Sequence, residues 1–180
     1  LGAAKPISVF PVLYAPIERE VAPFNARKDI FFLGGFGHNP NISAVEWFVE
    51  HVWPLVRQSL PDASFHIVGA GAPESVLALE RTPGVKVVGF VPDLKQIFSA
   101  YRIGVAPLLY GAGIKGKVAA TLGAGIPCVC TEIAAEGMGI ENEVHALVEA
   151  DAARFAAAVV RLYTDEALWT RLAANGQALV

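Results

Sequence analysis

Apolar residues in this chain fall into short runs closed by glycine or proline, and the runs alternate with stretches of helical spacing. Ile30 to Leu33, Ser64 to Val68, Val85 to Val88, Ile103 to Pro107 and Cys128 to Cys130 are too short for helices and mostly branched or aromatic, so each predicts a strand. A further short strand is expected near Ala146 to Val148. Between the first two runs, Val45, Phe48, Val49, Val52 and Val56 share one face of a helix from about Ile42 to Gln58. Pro54 lies inside that stretch, where it lacks a donor and crowds the preceding turn, so a kink or break is expected there. Short helices are expected near Glu74 to Leu79 and at Leu94 to Ser99, the latter capped by Asp93. A loop, AAEGMG, follows Cys130. Two terminal helices, about Ala152 to Tyr163 and Glu166 to Asn175, bury Phe155, Val159 and Leu162 on the first and Leu168 and Leu172 on the second.

Strand-helix alternation with nearly all-apolar strands predicts an α/β fold: a mostly parallel sheet of about six strands with helices on both faces. Ligands of such sheets bind outside the carboxyl ends of the strands. Four of those ends carry glycines here: Gly34-Gly35-Phe36-Gly37, Gly69-Ala70-Gly71, Gly89-Phe90 and Gly111-Ala112-Gly113. Together on one edge they predict a crevice that backbone lines closely. Upstream, Leu1 to Lys28 holds Pro6, Pro11, Pro16 and Pro23, which reads as a linker or the remnant of a preceding domain, with one short strand at Ser8 to Leu13. The domain proper is expected over 29–180.

Composition narrows the class. In 180 residues, 54% are hydrophobic and 17% charged, which excludes a disordered chain. The net charge of -3 and the scattered basic residues argue against nucleic acid as a partner. Uncharged stretches such as Val118 to Thr131 are too short and too interrupted to span a bilayer. Cys128 and Cys130, two apart in one strand, have poor disulfide geometry and are expected to be buried and reduced. The chain opens on Leu1 without a leader pattern, which is expected of a fragment.

Candidate chemistry gathers in Leu108 to Thr131, LLYGAGIKGKVAATLGAGIPCVCT. A strand feeds a glycine turn, two lysines and a helix whose free N–H groups face the loop, and Lys115 and Lys117 add charge where the helix dipole already favours an anion. The alternative is a tight turn with solvated lysines. Gly111, Gly113 and Gly116 also spell G-x-G-x-x-G, with Glu132 and Glu136 at a distance suited to a ribose. About four strands precede it, whereas in dinucleotide folds the fingerprint follows the first, so its position disfavours a nicotinamide or flavin site.

From Ile30 onward the chain resembles the C-terminal, donor-binding domain of group 1 glycosyltransferases, one of the two Rossmann-like halves of a GT-B architecture. The resemblance rests on DIFFLGGFGHNPNISAVEWFVEHVWPLV, PDASFHIVGAG, GVKVVGFVPDL, VAPLLYGAGIKGKVAATLGAGIPCVCT and IAAEGM, in that order. It implies transfer of a sugar from a nucleoside-diphosphate sugar to an acceptor, with no metal and no other cofactor. It implies a partner N-terminal Rossmann-like domain that would hold the acceptor. A cytoplasmic protein, peripheral at a membrane through the part not seen here, is consistent with it.

Carried over position by position, the resemblance sets Gly34, Gly35 and Phe36 along the diphosphate, and Gly89, Phe90 and Val91 against the base. Tyr110, Gly111, Ala112, Gly113 and Ile114 would face sugar and phosphates, with Lys117 near the diphosphate and Lys115 among the donor-binding residues. Phe90 and Tyr110 can equally be rim packing. Two glutamates that many members carry are replaced by Ala112 and Ala120, so donor affinity and stereochemical outcome are open, and the catalytic residues are unassigned. His38, Asn39 and Asn41 can donate hydrogen bonds where members place basic residues in the first loop. Glu136 is the remaining carboxylate expected near the site, to meet a donor hydroxyl or to cap a turn. His51 and His66 read as structural. A second hypothesis stands beside the transferase: a non-catalytic descendant that keeps the fold as a binding module. A sugar-nucleotide epimerase of the same architecture is a third.

Overall fold

A computed structural model describes residues 22–180. The expected strand at Ser8 to Leu13 lies outside them. Six strands, β1 (Lys28–Leu33), β2 (Phe65–Val68), β3 (Val85–Gly89), β4 (Tyr101–Ala106), β5 (Cys128–Cys130) and β6 (Leu147–Val148), form one sheet in the order β3-β2-β1-β4-β5-β6. Every pairing is parallel. Parallel strands need crossovers, and helices supply them: α1 (Asn39–Trp47), α2 (Trp53–Ser59), α3 (Glu74–Leu77), α4 (Leu94–Ala100), α5 (Gly116–Gly123) and α6 (Glu132–Ala135), while α7 (Ala152–Thr164) and α8 (Glu166–Leu179) follow the last strand.

The central strand shows why the runs are uniformly apolar. Ile30 and Phe32 of β1 belong to the larger core with Phe48, Phe65 and Phe155, while Phe31 between them faces a smaller core with Ile97, Phe98 and Tyr101. Side chains alternate across the sheet and both faces are covered, so neither set can be polar. Cys128 and Cys130 are free and buried. Asp93 caps α4 through Lys95 N (2.9 Å), and Asp165 caps α8 through Leu168 N (2.9 Å).

Two local expectations are corrected. The helix through Pro54 does not break: a π turn, Phe48–Val52, joins α1 to α2, with Trp53 N–H bonded to Phe48 O. The widened turn precedes Pro54, whose ring would otherwise crowd the carbonyl four residues back. The first part of the loop after Cys130 is helical, because Thr131 Oγ1 accepts from Ala134 N (3.3 Å) and starts α6. The described end of the expected linker also packs on the domain. Phe24 meets Trp169 edge to face (5.8 Å), and Arg27, 2% exposed, donates to Ala22 O (2.8 Å), Phe98 O (2.5 Å) and Tyr101 O (3.3 Å). Arg102 lies 4.1 Å over the Phe24 ring and 4.5 Å over Tyr163 and donates to Arg27 O (3.0 Å), tying the segment before β1 to α7. Buried main-chain carbonyls need donors, and the two arginines supply them.

Candidate functional site

Strand order reverses between β1 and β4, whose following chains run to opposite sides of the sheet, and a crevice opens where they part. It holds a cavity of about 860 Å³, lined by the ends of β1, β2 and β4, the first turns of α1 and α5, and the loop after β3. That volume lies in the usual range of small-molecule sites.

The floor is backbone. Gly34 N–H donates to Val68 O (2.9 Å), Gly69 N–H to Gly89 O (2.8 Å) and Phe36 N–H to Ala70 O (2.9 Å), so three strand ends are stitched together beneath the cavity. Gly69 (φ +155°) passes so close to β1 that a Cβ on it would lie 1.8 Å from Gly34 O.

One wall is cationic. Lys115 precedes α5, is 7% exposed, and donates from Nζ to Gly113 O (2.6 Å). Lys117, the second residue of α5, donates from Nζ to Asn41 Oδ1 and sits 4.9 Å over the Phe32 ring. Burial, and then the neighbouring Lys115 charge, push its pKa down to about 8. Asn41, 6% exposed in the first turn of α1, donates from Nδ2 to Gly35 O (2.6 Å). Tyr110 at the rim shares a hydrogen bond with Ser43 (3.2 Å), and His38 lines the same mouth.

The opposite wall is apolar. Leu33, Val91, Leu94 and Ala120 rest on the smaller core and line the cavity, and Phe90 stands at its edge, 72% exposed. Among the described residues, no carboxylate lines it. A site so built suits a ligand with an anionic end and an apolar end.

Of the residues singled out from sequence, Gly34, Gly35, His38, Phe90, Val91, Tyr110, Gly111, Ala112, Ile114, Lys115, Lys117 and Ala120 line this cavity. Phe36 does not: it is buried and packs on Phe32 (6.3 Å). Asn39, Gly89, Gly113 and Glu136 are also outside the lining, and Glu136 is solvent-exposed beyond α6. Leu33, Val68, Leu94 and Leu108 line the cavity and were not anticipated, since an apolar residue at a strand end reads as core. Among the described residues, no helix is long and apolar enough to cross a membrane.

No curated protein sequence matches the chain. A family model described as "Glycosyl transferases group 1" matches residues 27–165. Among solved structures, the C-terminal domain of LpcC, a group 1 family protein of Francisella tularensis, superposes with TM-score 0.72 at 18% identity, covering 92% of each chain. A TarM variant of S. aureus, solved with fondaparinux, alpha-GlcNAc-glycerol and UDP, superposes with TM-score 0.72 at 15% identity over 94% of this chain and 34% of its own. Anabaena HepE, solved with UDP and glucose, gives 0.67 at 15% identity over 87% of this chain and 44% of its own. The chain thus spans between a third and a half of those two proteins and nearly all of the isolated C-terminal domain. The sheet order and the family match agree: this chain belongs to the group 1 glycosyltransferases and has the Rossmann-like fold of their C-terminal, GT-B half.

Proposed function

We propose that the cavity binds a nucleoside-diphosphate sugar as the donor for transfer of the sugar to an acceptor held by the rest of the protein. The observation that carries this reading is the charge asymmetry of the cavity: two lysines and the N-terminus of α5 on one wall, with no carboxylate among the described lining residues. A diphosphate is the matching ligand, because helix N–H groups and ammonium ions stabilise it together. The apolar wall of Leu33, Val91 and Leu94 suits the nucleoside, and the loop from Tyr110 to Ile114 the sugar. UDP in TarM and HepE supports the assignment by likeness of fold. As the sugar leaves, charge grows on the diphosphate, and Lys117 is placed to neutralise it.

The absence of a lining carboxylate also favours a second reading, a domain that binds the nucleotide without completing transfer. No described side chain in the cavity offers a carboxylate base for an acceptor hydroxyl. Titration calorimetry with UDP, GDP, ADP and dTDP tests the common core of both readings, and a full-length transfer assay separates them. No heat with any of the four would overturn donor binding.

Ala120 gives a sharper measurement. It is half-buried, three residues after Lys117, and stands where many members of the family carry a glutamate. Ala120→Glu is expected to tighten UDP by about tenfold, the effect of one charge-assisted hydrogen bond to a ribose hydroxyl (~1.5–3 kcal/mol). The same carboxylate beside Lys117 should weaken inorganic pyrophosphate, which has no ribose. Ala120→Gln, similar in size but neutral, should do neither. Equal changes for UDP and pyrophosphate would remove the ribose from this wall.

A further inference from the structure

We infer that Asn41 is a positioning residue for Lys117: its amide aims the ammonium into the cavity and tunes the pH range over which that nitrogen carries charge. The inference rests on the diphosphate reading above and adds a residue and a pH dependence to it.

The amide can sit only one way round. Gly35 O can only accept, so it takes Asn41 Nδ2–H (2.6 Å), and a charged Lys117 Nζ can only donate, so it faces Asn41 Oδ1. The ammonium is therefore held by a group that is itself held by the glycine loop after β1. Asn41 is 6% exposed and fixed by its own backbone, whose N–H donates to His38 O (3.0 Å). Gly34 completes the fit, since a Cβ there would lie 2.9 Å from Asn41 Nδ2. A lysine side chain has four rotatable bonds, and a fixed acceptor at its end selects one arrangement. One of the three N–H bonds of the charged form points at Asn41. The other two are left to meet phosphate oxygens.

The same contact bears on charge. Burial and Lys115 disfavour the ammonium, while the Phe32 ring face and the Asn41 oxygen favour it. Lys115 just before α5, His38 before α1 and Tyr110 at the rim are the other titratable side chains on this side of the cavity, and none of them is a carboxylate. Among the described lining residues no carboxylate offsets them, which leaves the neutral dipole of Asn41 and the Phe32 ring face to favour a charged Lys117.

The experiment measures pyrophosphate and UDP affinity by calorimetry from pH 6 to 10 in the parent, Asn41→Leu and Asn41→Asp, with the Lys117 Nζ titration followed by NMR in the ligand-free proteins. In the parent, affinity should fall as pH rises past about 8, where Lys117 loses its proton. In Asn41→Leu the Lys117 titration and the descending limb should both move to lower pH by about one unit, with about a tenfold loss of affinity at pH 7. In Asn41→Asp the titration should move up, and pyrophosphate should weaken through repulsion by the new carboxylate. An unshifted Lys117 titration in both folded variants overturns the inference whatever the ligand does. Failure of the parent to bind either ligand, with a shifted titration in the variants, overturns the diphosphate reading and leaves the Asn41–Lys117 coupling as a property of the fold.

Discussion

Gly69→Ala is expected to cost the domain about 4 kcal/mol or more, or to prevent folding, although it adds one methyl group at a partly buried loop position. Two effects act together. The residue has φ +155°, a region essentially closed to side-chain-bearing residues, and the added Cβ would lie 1.8 Å from Gly34 O and 2.7 Å from Gly34 C. Both of those atoms are backbone of the neighbouring strand end, so no side-chain rotation relieves the overlap. The ends of β1 and β2 would have to part, breaking the bond from Gly34 N–H to Val68 O. Losses of this size are exceptional for one methyl group and are diagnostic of a named clash. Two glycines provide the scale. Gly71 has φ +75° but open space around its missing Cβ, so Gly71→Ala should cost only about 1 kcal/mol. Gly35 has neither a positive φ nor a neighbour within 4 Å of its missing Cβ, so Gly35→Ala should change stability by less than about 0.5 kcal/mol. Urea unfolding of the three variants measures the series. A Gly69→Ala midpoint no lower than that of Gly71→Ala would show that the two strand ends do not approach as described.

These glycines mark what was legible in the chain. A residue type chosen for backbone freedom announces a turn or a close approach without any partner being known, and the strand ends at Gly34, Gly69, Gly89 and Gly111 could be read that way. The strands themselves were readable because burial on both faces removes polar residues from Ile30 to Phe32 and from Ile103 to Ala106. Arg27 was not readable. Its partners are the carbonyls of Phe98 and Tyr101, more than 70 residues away, and a main-chain acceptor has no signature in the sequence. Nothing in a proline-rich segment therefore marks Arg27 as a residue that the domain holds. Pro54 announced a disturbance in its helix but not the remedy, since a π turn depends on how the two halves dock on β2 and α7.

The cavity divides along the same line. Its glycines and lysines were visible as chemistry in a loop. Leu33, Val68, Leu94 and Leu108 were not, because the side of an apolar residue that meets a cavity and the side that meets core are the same in sequence. Phe36 lay next to two glycines of the floor, yet its side chain turns into the core against Phe32, a direction that neighbouring residues alone do not fix. The pairing of Asn41 with Lys117 spans 76 residues and required the crossing of β1 beside β4. Each residue could be named as polar and near a loop, but not as half of a pair.

Lys117→Met should make the protein more stable and its anion binding weaker, and the opposite signs are the test. The folded-state pKa of Lys117 is pushed down to about 8 by burial and then by Lys115, whereas an unfolded lysine titrates near 10.5. Between those values the unfolded chain binds more protons, so stability rises with pH across that window. Below about pH 8 both states are protonated, and the fold carries the ammonium at its full cost, up to about 3 kcal/mol for a displacement of this size. Methionine keeps most of the length and apolar contact without the charge. At pH 7 the variant should therefore unfold at higher urea than the parent, by up to that amount. The parent should approach it as pH rises from 8 to 10.5, the shared titrations of the other lysines and tyrosines cancelling in the difference. Pyrophosphate and UDP should bind the variant at least tenfold more weakly at pH 7, the loss expected when a charge-assisted contact is removed. A stability difference that is absent at pH 7, or that does not change between pH 8 and 10.5, would mean that the ammonium is solvated in the fold. Unchanged affinity in a variant that is stabilised as expected would place the diphosphate elsewhere and leave Lys117 as a buried charge with a cost and no ligand.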